Sequence, residues 1–69
     1  MVAIFKTNVT DFSKADEIIS MLSHHLPGCK INFDLQDCDN ILRIKGDNIS
    51  DTQIIQLVSC SGAVCTLLD

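Results

Sequence analysis

The chain has no tryptophan and no tyrosine, and its aromatic content is three phenylalanines. A sheet that reads nucleic-acid bases by stacking needs aromatic residues on its open face, so that class of function is excluded. Positive charge is scarce as well. Five Lys and Arg stand against nine Asp and Glu, for a formal net charge of −4. Phosphate-backbone binding rests on clustered cations, and no nucleic-acid partner is expected. No apolar run exceeds a few residues, far below the ~20 needed to cross a bilayer as a helix. No membrane span is therefore expected. The opening MVAIFK has no basic segment leading into a long apolar stretch, the signature of a secretory leader. The expected compartment is the cytoplasm. Catalytic signatures are missing too. There is no G-x-S-x-G, no H-E-x-x-H and no phosphate loop, and the chain is not expected to be an enzyme.

Cysteine is present but not in a metal-ligand spacing. Cys29, Cys38, Cys60 and Cys65 include no C-x2-C pair. In a reducing compartment free thiols are expected rather than disulfides. With 69 residues, 46% of them apolar, the chain suits one folded domain over residues 1–69, whose small core leaves little to spare.

Strand and helix periodicities alternate along the chain. Val2 to about Thr7 reads as a strand. The stretch TNVTDFSKAD follows, rich in residues that cap helices. Thr10, Asp11 or Ser13 can start a helix there, with Asp16 or Glu17 in its first turn. Ala15, Ile18, Ile19, Leu22 and Leu26 then form one helical stripe. Leu26-Pro27-Gly28 stops it. Ile31, Phe33 and Leu35 alternate with Asn32, Asp34 and Gln36, the pattern of a half-buried strand. The Asp37-Cys38-Asp39-Asn40 cluster predicts a turn, and Ile41 to Lys45 returns as the second arm of a hairpin. After the Gly46–Asn48 loop, Ser50-Asp51-Thr52-Gln53 fits an S-x-x-Q capping box. Ile54, Leu57, Val58 and Ser61 make a second stripe that Gly62 ends. Val64 to Leu68 is the last strand, with Cys65 and Leu67 facing inward.

This βαββαβ order, with two right-handed crossovers and a central hairpin, predicts an α+β ferredoxin-like sandwich. Its four-stranded antiparallel sheet has the expected order 4-1-3-2, with both helices on one face. Three connections then share the upper end: the TNVTDFSKAD junction, the Asp37–Asn40 turn and the Cys60–Gly62 turn. His24, His25, Pro27, Gly28, Cys29 and the Gly46–Asn48 loop collect at the lower end. The upper end gathers Asp11, Asp37, Asp39, Asp16 and Glu17, which we read as turn chemistry and helix-dipole complement rather than a calcium loop. The open sheet face is expected to carry Ile4, Lys6, Asn32, Asp34, Ile41, Arg43 and Lys45.

The full length of this pattern resembles the heavy-metal-associated domain of copper chaperones and metal-transporting ATPases. The marks are Ile18, Ile19 and Leu22, then Leu26-Pro27-Gly28, the alternation Ile31, Phe33, Leu35, then Leu42, Ile44 and Gly46, and finally Ile54, Val58 and Gly62. In that family the first strand ends in G-M-x-C-x-x-C, and the two thiolates bind a soft ion such as Cu(I). Counting back from Gly28, those thiolate positions fall on Phe12 and Ala15, and the family's Gly and Met on Val9 and Thr10. Neither Phe12 nor Ala15 offers a lone pair. The resemblance therefore implies the fold without the family's metal site. Phe12 is expected to turn inward against the Cys60–Gly62 turn as a hydrophobic plug.

Other ligand sets remain for Cu(I) or Zn. Cys38 and Cys60 share the upper end, and His24 or His25 with Cys29 share the lower end. Adjacent helical histidines point about 100° apart, so His24 and His25 do not grip one ion together. The first expectation is a non-catalytic binding or adaptor module with a degenerate metal site and no cofactor. It would meet another protein, or a second copy of itself, through an edge strand. The alternatives are a metal chaperone using Cys38 and Cys60, or a small-ligand regulatory domain.

Overall fold

The alternating apolar segments do form strands and the 3.6-period segments do form helices. In the computed structural model, which describes every residue except Asp37 and Asp69, the elements are β1 (Val2–Thr7), α1 (Phe12–His25), β2 (Lys30–Asp34), β3 (Ile41–Lys45), α2 (Asp51–Cys60) and β4 (Cys65–Leu67). The four strands make one antiparallel sheet in the order β2-β3-β1-β4. This is the expected 4-1-3-2 order read from the other side, and it is consistent with a ferredoxin-like sandwich. The Asp37 position of the hairpin turn lies outside the described residues.

Register explains the two faces. Phe5 stands opposite Leu42 and Leu67, Ala3 opposite Ile44, and Leu42 opposite Phe33. These rows face the helices, and the buried Phe5, Leu42 and Ile44 join Ala15, Ile18 and Leu22 of α1 and Ile54 and Val58 of α2 in one core. Cys65 is buried in it, as its alternation predicts. Leu67 lies in the same row but is 45% exposed, because β4 is the edge strand and no strand lies beyond it.

The open face carries the complementary rows Lys30–Lys45–Val2, Asn32–Arg43–Ile4 and Asp34–Ile41–Lys6–Thr66. Four of the five basic residues therefore share this face, Lys30 among them. Ile41 departs from expectation. It is only 4% exposed although it belongs to the open-face row; it sits on a central strand, flanked by Lys6 on one side and Asp34 on the other.

Helix ends are closed by local chemistry. Asp11 caps α1 by accepting from the Lys14 amide at 2.7 Å. Asp16 and Glu17 fall beyond the first turn of α1, which holds no acidic residue, so the expected dipole role passes to Asp11. Pro27 and Gly28 (φ +87°) turn the chain out of α1, with the Cys29 amide donating to the Leu26 carbonyl. That is the signature of a type II turn. Ser50 caps α2. At its far end the Gly62 amide donates to the Ser59 carbonyl and the Ala63 amide to the Val58 carbonyl, with Gly62 at φ +92°. This is a Schellman motif, and it fixes the direction in which β4 starts.

Candidate functional site

The three upper connections do meet, and hydrogen bonds tie them together. The Thr7 hydroxyl donates to the Asn40 carbonyl at 2.6 Å and accepts from the Val9 amide at 3.2 Å. The Thr7 amide donates to the Asp39 carbonyl. Asn8 clamps the start of β4 from both sides: its amide donates to the Val64 carbonyl at 3.2 Å, and its Oδ1 accepts from the Val64 amide at 2.9 Å. Lys6 adds an exposed ion pair to Asp39 at 3.6 Å. At this β1–α1 corner the side chains of Thr7 and Asn8 are already engaged.

The positions that correspond to the family's thiolates separate. Ala15 is buried in the core, on the sheet-facing side of α1. Phe12 is 72% exposed, which overturns the expected hydrophobic plug. Phe12 is the first residue of α1. Ala15, Ile18 and Leu22 define the buried stripe, and at 100° per residue Phe12 falls about a quarter-turn off it. The residue that reaches the Cys60–Gly62 turn is Lys14. Its ammonium donates to the Ser61 carbonyl and pairs with Glu17 Oε2 at 3.1 Å. A cation on the carbonyl end of α2 also answers the negative end of that helix. Sequence reasoning missed Lys14 because its partner lies 47 residues away. Only its i,i+3 spacing to Glu17 was readable.

The cysteines divide by environment. Cys38 and Cys60 are exposed free thiols, Cys29 is half-buried and Cys65 is buried. Burial raises the Cys65 thiol from 9.0 to about 11, and the side chain packs in the core. Cys29 packs against Gly46 so closely that a Cβ on Gly46 would lie 2.5 Å from its sulfur. The thiol is thereby part of the joint between the start of β2 and the end of β3. His24 and His25 are both exposed, with their rings edge-on at 5.6 Å. Among the described residues no three His, Cys, Asp or Glu side chains converge on a common point.

One cleft is lined by two residues that the sequence grouping placed at opposite ends. His25 and Cys60 both line a cleft of about 270 Å3 between α1 and α2, with Glu17, Met21, Leu57 and Ser61. Its walls are the outward flanks of the two helices. No helix among the described residues is long and apolar enough to cross a membrane. No protein-family model matches the chain, and no curated protein or solved structure matches it.

Proposed function

We propose that this protein is a non-catalytic binding module of the heavy-metal-associated type that works in the cytoplasm without the family's metal. The observation that carries this reading is Lys14. Its ammonium lies on the Ser61 carbonyl at the end of the fold where the resemblance would put two thiolates and a cation. That ammonium, paired with Glu17, already takes up the Ser61 carbonyl, and Phe12 and Ala15 supply no ligand at the family's thiolate positions. The neighbouring Thr7, Asn8 and Asp39 groups are spent on holding the upper loops together. The small-ligand reading has less support, since the interhelical cleft of about 270 Å3 falls below the usual ~300–1,000 Å3 of ligand pockets.

The test is a Cu(I) titration of reduced protein against a chromogenic Cu(I) chelator. The expected result is that wild type and the Cys38→Ser, Cys60→Ser variant compete equally weakly. One equivalent of tightly held Cu(I) that the double variant loses would replace this reading with a metal carrier built on those two thiols.

A further inference from the structure

The β4 edge is uncharged in a chain that holds fourteen charged residues, nine acidic and five basic. Val64, Cys65, Thr66, Leu67 and Leu68 are consecutive, and Val64 is 61%, Leu67 45% and Leu68 41% exposed. The wall above that edge carries little charge. Ile54 and Val58 of α2 are buried against the sheet, and Leu57 and Cys60 line the cleft toward α1. At 100° per residue this leaves Thr52, Ile55 and Ser59 on the flank above β4, with Asp51 at its lower end as the one charge there. Sheet edges are normally protected by short length, charge, proline or a covering element; β4 is short, at three residues, but among the described residues it carries no charge and no proline.

Backbone polarity is set by the known bonds. Asn8 donates to the Val64 carbonyl, and Leu68 donates to the Ile4 carbonyl. Bonding alternates along an antiparallel strand. Val64, Thr66 and Leu68 therefore direct their N–H and C=O toward β1, and Cys65 and Leu67 direct theirs outward. The outward set matches itself. When a second copy is placed antiparallel with Thr66 opposite Thr66, Cys65 falls opposite Leu67 of the other copy and Leu67 opposite its Cys65. Both are hydrogen-bonded pairs. On the open face Val64 meets Leu68, and Ile4 extends the row behind Leu68. Thr66 meets Thr66, a pair that favours sheet contacts. The two Lys6 side chains, each opposite a Thr66, stand three strand spacings apart, about 14 Å, beyond the ~8 Å screening length at physiological salt.

We infer that β4 is a self-association strand, pairing with β4 of a second copy about a two-fold axis through Thr66 to make a continuous eight-stranded sheet. The axis stands perpendicular to the sheet, so all four helices lie on one side. The two α2 helices become neighbours through their Thr52, Ile55 and Ser59 flanks. A symmetric pairing of this kind closes after two copies. The other edge, β2, carries Lys30 and Asp34, charges of the kind that protect an edge strand. The inference rests on the sheet register alone and is independent of how the upper end treats metals.

Sedimentation across a range from about 1 μM to 1 mM tests it. A five-residue edge is small beside a standard interface of about 1,600 Å2, so weak association is expected, with half-association below about 1 mM. Thr66→Lys, at an exposed position, places two ammonium groups directly opposite each other and should weaken association at least tenfold with an unchanged circular dichroism spectrum. A second measurement uses a Cys38→Ser, Cys60→Ser background. Thr66 pairs across the axis at a Cα separation of about 4.5 Å, within disulfide range. Thr66→Cys should therefore cross-link under mild oxidation, whereas Asn32→Cys on β2 should not. A chain that stays monomeric at 1 mM overturns the inference and leaves β4 for a strand of another protein. So does a dimer that Thr66→Lys leaves intact, or equal cross-linking at positions 32 and 66.

Discussion

The two edges of this sheet solve the same problem in opposite ways. At β2 the outward-facing row is Lys30, Asn32 and Asp34, so the unpaired backbone is flanked by charge of both signs. The strand is held at its start by the close joint of Cys29 on Gly46. At β4 the strand is three residues long, uncharged, and anchored by side chains from elsewhere: Asn8 on Val64 and Lys14 on Ser61. Edge pairing is a liability wherever strand backbone is left open. The contrast teaches that β2 guards its edge with charge, whereas β4 relies on its short length alone. The charges of the open face are drawn to the guarded side, where Lys30 and Lys45 stand directly opposite each other.

The largest effect is expected at the joint beside β2. Gly46→Ala must push the Cys29 sulfur aside, and overpacking of this kind costs about 2 kcal/mol. Adding Cys29→Ala should recover most of the loss, which urea denaturation would measure. Next comes pH at the β4 edge. Between 9.0 and about 11 the folded chain keeps the Cys65 proton that the unfolded chain releases. The unfolded state then binds fewer protons, so stability falls as pH rises through that window. The loss is on the order of 2 kcal/mol at its upper end, and it should be absent from Cys65→Ala when denaturation midpoints at pH 8 and 10.5 are compared. Asn8→Ala removes the acceptor for the Val64 amide and should cost about 1 kcal/mol. Amide exchange should quicken along β4 and not along β2. The smallest effect is a gain. Lys30→Glu turns the Lys30–Lys45 repulsion into attraction and should add a few tenths of a kcal/mol, up to about 1. A melting temperature that does not rise would show that the β2 charges interact less than their register implies.

Most of the fold was legible because two periods, 2 and 3.6, sort this chain cleanly. Ile31 and Phe33, or Ile18 and Leu22, each have one burial partner type and one face. The turns were legible for the same local reason: Pro27, Gly28 and Gly62 admit few backbone conformations. The candidate site was legible only as a location. That Thr10, Asp11 or Ser13 would cap α1 followed from residue type, but that Asp11 would do so depended on where the helix began. That starting point also turned Phe12 out to solvent and left Asp16 and Glu17 beyond the first turn. Ile41 was assigned to the correct face and yet is buried, because alternation gives a side and not how far neighbouring strands enclose it.

By itself, then, the sequence determined the order of elements, the inward row of each strand, the helix stops and the absence of ligands at Phe12 and Ala15. These are properties of spacing and residue chemistry, and neighbours within a few positions decide them. Only the tertiary structure decided that Lys14 would dock on Ser61, that Asn8 would clamp Val64, and that Gly46 would need to be bare beside Cys29. It also decided which backbone groups of β4 face outward. Each of these joins positions that are 17 to 56 residues apart. No local rule connects such positions until hydrophobic burial brings the strands and helices into one core.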